Sequence, residues 1–305
     1  MLAWISHGGI GGCGHAGPRA RRCPCLARGD AVTARAYEER LERCRDQIGA
    51  TADFRPQVAV VLGTGLGEFA DSLDVLASVP YGSIDGWPVS TSPGHEGRLV
   101  LAERHGIRLA VMCGRAHRYE GYSGEDVALP LRVLHMLGAD TAILSNAAAS
   151  LNRDYAAGEF VCVEDQISSF VPSPLVGRNI DGLGVRFPSM TDAFDAGMRC
   201  AVMEAGRRNG IPVHGGTYIQ VGGPQFETPA EIRMYRMLGA DTLAMSLGDE
   251  VIVARHMGMR VCAINCIANM AAGMGEEPSL EAVRDRMGSM GDSFRVLVDD
   301  LLDSL

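Results

Sequence analysis

The segment Gly222–Met234 places a Gly-Gly-Pro loop, an aromatic side chain and an acidic side chain directly before the pattern of a helix start. Phe226 offers a flat apolar face, and Glu227 offers an anionic hydrogen-bond acceptor beside it. The pair suits a neutral heteroaromatic ring that carries an N–H donor. An ordinary loop that enters a surface helix has the same pattern, so this segment alone leaves both interpretations open.

Polar groups suited to an anion occur at other points of the chain. The Gly63–Gly67 turn follows an apolar run and can bind an anion through its backbone N–H groups and the Thr64 hydroxyl. Arg115 carries a planar guanidinium with several N–H donors, and His117 points to the same side if this segment is extended. Taken singly, an arginine such as Arg115 more often forms a surface salt bridge, and a histidine such as His117 more often has a structural role with its hydrogen bonds satisfied. Grouped with Ser246, these residues predict a phosphate cradle.

The Gly-x-Gly-x-Gly turn at 63–67 also resembles a dinucleotide-binding fingerprint. No acidic residue stands about 20 residues further on at the end of a second predicted strand to hold a ribose, which argues against a dinucleotide. The chain contains no G-x-x-x-x-G-K-[ST] loop, so a nucleoside triphosphate is not the expected ligand. Inorganic phosphate fits better.

These groups follow short β-branched apolar runs that alternate with helical patterns, which predicts one α/β domain over residues 35–305 with a central mixed, largely parallel β-sheet flanked by helices. The predicted strands are Val58–Leu62, Leu109–Cys113, Thr141–Ser145, Phe160–Glu164, Thr217–Val221, Thr242–Ser246 and Val261–Asn265. The predicted helices are Glu125–Leu137, Asp192–Asn209, Pro229–Leu238, Glu250–Met257 and Leu280–Leu302. Ligands of open α/β sheets gather at the carboxyl ends of strands, where the candidate residues stand.

Composition excludes several classes of function. The net charge of −9 argues against nucleic-acid binding, and no run of 18 apolar residues is present to span a membrane. The nine cysteines are an odd number, and several lie in apolar runs, which predicts free thiols and a cytoplasmic location. The group Cys13, His15, Cys23 and Cys25 lacks the usual spacing of metal ligands, so no metal and no organic cofactor are expected.

Residues 1–34 differ from the remainder, being rich in glycine and arginine. The amphipathic helix pattern begins only near Ala34–Tyr37. We therefore expect an unstructured extension, or a mis-annotated start with translation beginning at Val32.

A set of motifs that includes these residues resembles the trimeric purine nucleoside phosphorylase family. The motifs lie in order at Val61–Phe69, Ser92–Gly97, Gly114–Gly121, Asn146-Ala147-Ala148, Gly223–Met234 and Gly239–Ser246. The resemblance implies a nucleoside phosphorylase-like fold, a homotrimer, and phosphorolysis of inosine, guanosine and their deoxy forms in purine salvage. Free base and (deoxy)ribose 1-phosphate are the implied products, with phosphate as co-substrate. Phe170 is the implied residue that reaches a neighbouring subunit's pocket.

The resemblance also implies roles for single residues. The implied phosphate ligands are Thr64, Arg115, His117, Ser246 and the backbone of Ala147, with His95 on a mobile loop that closes over them. On the nucleoside, Tyr119 and Met245 contact ribose, Phe226 stacks near sugar and base, Glu227 accepts from N1–H, and Asn269 donates to N7. Asn269, Glu227 and His117 form the implied catalytic set. An amide at N7 stabilises charge that develops mainly in the transition state.

Three segments depart from the family pattern. Ala149-Ser150 replaces Gly-Gly, which predicts an altered loop if that position requires a positive φ. Leu247-Gly248-Asp249 replaces Thr-Val-Pro and removes a hydroxyl and a rigid proline beside the phosphate site. These two changes leave open a non-catalytic nucleoside-binding paralogue. Leu280 replaces a histidine at the sugar's 5′ end, which leaves open a preference for 5′-methylthio nucleosides, or a side chain that does not face the pocket.

Overall fold

The computed structural model describes residues 24–305, with side chains from residue 35 onward. The strands are β1 Val58–Val61, β2 Asp74–Pro80, β3 Arg98–Arg104, β4 Ile107–Cys113, β5 Thr141–Ser150, β6 Phe160–Ile167, β7 Val213–Gln220, β8 Thr242–Ala244 and β9 Arg260–Met270. The α-helices are α1 Pro24–Thr51, α2 Glu68–Asp71, α3 Gly124–Leu137, α4 Ala196–Asn209, α5 Pro229–Met237, α6 Gly248–His256, α7 Leu280–Ser289 and α8 Gly291–Leu302.

The strands form one sheet in the order β2-β3-β4-β1-β5-β8-β7-β6-β9, and β5 also pairs with β9. That extra pairing closes β5, β8, β7, β6 and β9 into a ring, while β1, β4, β3 and β2 extend from it as an open wing. The pairs β1–β4, β1–β5, β5–β9, β6–β7 and β7–β8 are parallel, and the others are antiparallel. The predicted mixed, largely parallel sheet is confirmed.

Helices cover both faces of the sheet, as predicted. Alternate residues of the central strands point to opposite sides, so Ala59 and Val61 face one core while Val58 and Val60 face the other. The first core packs against α1, α3 and α6. The second packs against α2, α4 and α8, where Phe69 and Phe294 meet edge to face with centroids 5.9 Å apart. The carboxyl ends of the parallel strands are thereby fixed by packing on two sides.

Several element boundaries differ from the sequence prediction. Strands β5 and β9 run past their predicted ends because they pair with each other along their whole length, from Thr141 opposite Arg260 to Ser150 opposite Met270. The predicted helix Leu280–Leu302 is two helices separated at Met290, and glycines on either side weaken helix continuation there. The sequence prediction also missed β2 and β3, the antiparallel part of the wing.

The amino-terminal helix α1 begins at Pro24, earlier than the predicted start near Ala34. Residues 1–23 lie outside the described residues, so the predicted extension or later start there stays a prediction. Of the group Cys13, His15, Cys23 and Cys25, the first three also lie outside them. In residues 24–305, no helix is long and apolar enough to cross a membrane.

Candidate active site

Every residue predicted to bind phosphate or nucleoside within its own subunit lines one cavity at the carboxyl ends of the parallel strands. The cavity lining includes Thr64, His95, Arg115, His117, Tyr119, Ala147, Phe226, Glu227, Met245, Ser246 and Asn269. They come from turns after β1 and β4, from β5 and β9, from the segment after β8, and from the loops before β3 and α5. The sheet therefore brings together groups that are far apart in the sequence.

The sequence prediction missed much of the apolar wall of this cavity. Asn146 and Ala148 belong to the motif that the sequence analysis singled out, and the remaining lining residues are Ala149, Leu243, Ala244, Ala268, Ala271, Ala272, Pro278 and Val283. Most of these side chains are small and carry no reactive group, so their types gave no chemical signal. The available signal was positional, because all but Pro278 and Val283 lie in or directly after the apolar runs of β5, β8 and β9. Small side chains leave room for a planar ligand between the strands.

His95 is held in one tautomer. The backbone N–H of Arg115 donates to His95 Nδ1 at 3.2 Å, so the ring proton sits on Nε2, which lies 3.3 Å from Thr64 Oγ1. Gly114, with φ 101°, makes this approach possible, since a Cβ there would lie 2.5 Å from His95 Nδ1. Burial, followed by the charges of His117 and Arg115, lowers the pKa of His95 to about 3. His95 is therefore a neutral donor at neutral pH.

His117 is oriented by a carboxylate. Its Nδ1 lies 2.7 Å from Glu120 Oε1, which also accepts the backbone N–H of His117 at 2.9 Å. Burial lowers the pKa of His117 to about 4, so the neutral ring donates from Nδ1 and turns Nε2 away from Glu120. The ring stacks on Tyr119 with centroids 4.7 Å apart and lies 4.9 Å from the His95 ring.

Glu120 also fixes the segment that leads to His95. Burial raises the pKa of this carboxyl, but hydrogen bonds from Thr91 and His117 outweigh it and hold the pKa at about 2. The carboxylate accepts from the backbone N–H of Thr91, from the Thr91 hydroxyl at 2.8 Å and from the Ser90 hydroxyl at 3.1 Å. An ionised Glu120 therefore holds His117 and the loop before β3 together.

Arg115 supplies a buried positive charge. Its Nε donates to Glu250 Oε1 at 2.8 Å, and both side chains are 3% exposed. A second contact runs from Nη2 to the Val61 carbonyl at 3.4 Å. Burial raises the pKa of Glu250, while the neighbouring guanidinium lowers it. The pairing fixes Arg115 in the plane that faces the cavity, where its remaining N–H groups suit a tetrahedral oxyanion.

The cavity lining also carries groups suited to a heteroaromatic base. Thr228 and Glu231 form the predicted capping box of α5, which places Glu227 and Phe226 at the turn before the helix. Burial raises the pKa of Glu227, and the charge of Glu231 adds to the effect. Asn269 donates one amide N–H to the Met270 carbonyl at 2.8 Å, which leaves a second N–H and the amide oxygen for a ligand.

The structure shows the local conformation at two of the three departures from the family pattern, Ala149-Ser150 and Leu280. The condition for an altered loop at Ala149 is not met, because β5 continues through Ser150, with a register shift between Ala148 and Ala149. Neither residue has a positive φ, and the Ser150 hydroxyl donates to the Asn152 carbonyl at 2.9 Å. Leu280 is 47% exposed and is not part of the cavity lining, where Pro278 and Val283 stand instead. The structure therefore gives Leu280 no contact with this cavity.

Residues 57–303 match the sequence profile of the Phosphorylase superfamily, and the chain belongs to that superfamily. Purine nucleoside phosphorylase 1 of Geobacillus stearothermophilus is 44% identical over 223 residues, which cover 73% of this chain and 81% of that protein. Purine nucleoside phosphorylase of Mus musculus is 43% identical over 224 residues, which cover 71% of this chain and 77% of that protein. Within the superfamily, the chain belongs to the purine nucleoside phosphorylases.

The fold leads to the same family. The crystal structure of Schistosoma mansoni purine nucleoside phosphorylase in complex with inosine has a TM-score of 0.83 at 32% identity, covering 88% of this chain and 96% of that chain. A purine nucleoside phosphorylase of the same organism has also been solved in complex with adenosine, with a TM-score of 0.83. The predicted family and fold are confirmed.

Proposed function

We propose that this protein catalyses phosphorolysis of the 6-oxopurine nucleosides inosine and guanosine and their deoxy forms, in purine salvage. The observation that carries the proposal is the arrangement of one cavity. Its lining combines a buried cation, Arg115, with the carboxylate of Glu227 and the amide of Asn269. A nucleoside and a phosphate that share this cavity would meet at the anomeric carbon.

The phosphate end would bind the dianion through Arg115, Thr64, Ser246 and the backbone N–H of Ala147. His95 would donate from Nε2, since its Nδ1 already accepts from the Arg115 backbone. His117 would accept from the protonated phosphate oxygen through Nε2, because Glu120 fixes its proton on Nδ1. Donors held in advance of binding lose little entropy when phosphate arrives.

The nucleoside end would position the base against the phosphate. Tyr119 and Met245 would contact ribose, and Phe226, which is 44% exposed at the rim, would cover sugar and base. In the reaction a phosphate oxygen forms the new bond to the anomeric carbon while the bond to N9 breaks. The bonding electrons leave with the purine, and the proton carried by phosphate ends on the base. No protein nucleophile is needed.

Glu227 and Asn269 would select the base and stabilise its departure. An ionised carboxylate accepts from N1–H of a 6-oxopurine but faces the lone pair on N1 of adenine. The free N–H of Asn269 would donate to N7 as negative charge develops on the purine, so its contribution grows in the transition state. Inosine and guanosine are therefore the expected substrates over adenosine.

We also propose a homotrimer and a cytoplasmic location. The segment between β6 and α4 exposes Val176, Val185 and Phe187, the last with 87% of its surface accessible, and such an apolar surface favours contact with a second copy. Phe170 in this segment packs edge to face on Tyr235 of its own chain at 5.5 Å. Sedimentation velocity tests the assembly: a trimer supports the proposal, and a monomer at micromolar concentration contradicts it.

Phosphorus NMR of a mixture of inosine, phosphate and protein tests the proposed reaction directly. The expected result is loss of the inorganic phosphate resonance and growth of a ribose 1-phosphate resonance, with equimolar hypoxanthine. Free ribose without ribose 1-phosphate would identify a hydrolase instead. Nucleoside binding without either product would support the non-catalytic paralogue.

A further inference from the structure

The segment that carries Ser246 has an unusual backbone. Leu247, the next residue, has φ 83°, and its side chain is 1% exposed. A non-glycine residue in this region is strained and persists only where the surroundings fix it. Gly248 follows in close contact with Gln220, since a Cβ there would lie 2.1 Å from Gln220 Oε1. The conformation of the Ser246 segment therefore needs support from outside the segment.

Asp249 supplies that support. Arg118 donates to it in the bidentate manner, from Nε to Oδ2 and from Nη2 to Oδ1, both at 2.8 Å. Gln220 Nε2 donates to Oδ2 at 3.0 Å, and Gln220 Oε1 accepts the Asp249 backbone N–H at 3.0 Å. Asp249 is 3% exposed. Charge-assisted bidentate pairs fix direction as well as distance.

The same pair reaches the other half of the phosphate cradle. Arg118 directly follows His117 in the segment that also carries Arg115, and its Nη2 donates to the Pro172 carbonyl at 2.7 Å. The residue after Asp249 is Glu250, which binds Arg115. Two consecutive carboxylates at the start of α6 thus tie the Ser246 segment to two arginines on the opposite segment. Neither Arg118 nor Asp249 lines the cavity.

We propose that Arg118 and Asp249 are positioning residues for phosphate, which set Ser246 at a fixed distance from Arg115 and His117. In this chain the ion pair takes the place of the rigid proline in the family pattern at Asp249. The proposal rests on the proposed phosphorolysis. It concerns phosphate more than the nucleoside, because the base-binding groups Glu227 and Asn269 lie on other segments and only the ribose contacts Tyr119 and Met245 adjoin the tied segments.

Single neutralising variants distinguish positioning from a plain effect of charge. Arg118→Gln leaves an unpaired carboxylate near the phosphate site, and Asp249→Asn leaves an unpaired guanidinium. An effect of charge alone would raise the KM for phosphate in the first variant and lower it in the second. Positioning predicts a rise in both, because each substitution releases the Ser246 segment.

The experiment measures the KM for phosphate at saturating inosine and the KM for inosine at saturating phosphate. In both single variants we expect the KM for phosphate to rise about tenfold, since small misplacements of binding groups are costly, while the KM for inosine rises much less because Glu227 and Asn269 are untouched. The double variant is expected to be no worse than either single variant, because the two residues act as one unit.

Asp299→Asn is the matched control. Asp299 accepts a bidentate pair from Arg104 at 3.0 and 2.6 Å and lies on α8, outside the cavity lining. It should leave both KM values unchanged. If a neutral variant unfolds, Arg118→Lys replaces it. Lysine keeps the positive charge but lacks the planar guanidinium that binds Asp249 through two hydrogen bonds, so positioning still predicts a higher KM for phosphate.

Opposite shifts in the two single variants, or shifts no larger than that of Asp299→Asn, would overturn the proposal. A rise in the KM for inosine as large as that for phosphate would overturn it as well, since that marks general disruption of the site. Failure of the unmodified protein to release base in the presence of phosphate would instead remove the proposed function, so the two failures are distinct.

Discussion

His117 Nδ1 lies 2.7 Å from Glu120 Oε1, and the same carboxylate accepts from the backbone N–H and the hydroxyl of Thr91. Glu120 therefore joins two segments that meet at the cavity, the turn after β4 and the loop before β3. The contact decides which nitrogen of His117 faces the ligand. Phosphate affinity should depend on this carboxylate although Glu120 itself is not part of the cavity lining.

Glu120→Gln should weaken phosphate binding. The amide retains an acceptor for His117 but loses the charge that strengthens each of its hydrogen bonds. We expect the KM for phosphate to rise about tenfold, equivalent to about 1.4 kcal/mol. Steady-state kinetics with phosphate as the varied substrate measure it. Glu103→Gln, at an exposed position of β3, is the control, and an unchanged KM in Glu120→Gln would refute the role of the carboxylate.

Stability should fall as the pH falls below about 6.5, where an unfolded histidine gains a proton. The folded protein keeps His117 neutral, with a pKa of about 4, so protons favour the unfolded chain. Between pH 6.5 and 5, His117 alone should cost about 2 kcal/mol of unfolding free energy. His95, with a pKa of about 3, acts in the same direction.

Urea unfolding at pH 7.5 and 5.0 measures this loss. His117→Gln should lose less stability than the unmodified protein over the interval, because it has one fewer group to protonate. Glu120 does not interfere, since a carboxyl with a folded pKa of about 2 acts only at lower pH. His135→Gln, on α3 and outside the cavity, is the control. Equal losses in His117→Gln and the unmodified protein would show that burial does not hold His117 neutral.

Asn269→Ala should lower kcat for inosine about 10²–10³-fold, as is typical when one donor to developing charge is removed. The KM for inosine should change much less, because the contact strengthens mainly in the transition state. Steady-state kinetics separate the two. Asn209→Ala, at the surface end of α4, serves as the control. A variant that keeps its kcat but has a raised KM would place Asn269 in ground-state binding only.

Glu227→Gln should reduce discrimination between bases. The amide presents an N–H to N1 of adenine and a weaker acceptor to N1–H of a 6-oxopurine. We expect kcat/KM for inosine to fall about 10²-fold and the adenosine-to-inosine ratio to rise. Glu231→Gln, which keeps the capping box of α5, should change neither quantity. An unaltered base preference in Glu227→Gln would remove this residue from base recognition.

The sequence predicted the central strands and the site because buried parallel strands are continuous apolar runs and functional groups follow their ends. It missed β2, whose side chains are mostly exposed and give no apolar run. It missed the break at Met290 because apolar spacing continues across it. The pairing of Arg118 with Asp249 joins residues 131 positions apart, a separation that no local pattern reveals. The sequence could not show whether Ala149 needs a positive φ, because the pairing with β9 that extends β5 through this position is not a local pattern.

The measurement that tests the central claim most directly is base release from inosine, guanosine, adenosine and methylthioadenosine, each with and without inorganic phosphate. We predict release from inosine and guanosine that depends strictly on phosphate, with far less from adenosine. We expect no preference for the methylthio substrate, since Leu280 does not line the cavity. Release that is independent of phosphate, or faster from adenosine than from inosine, would contradict the account.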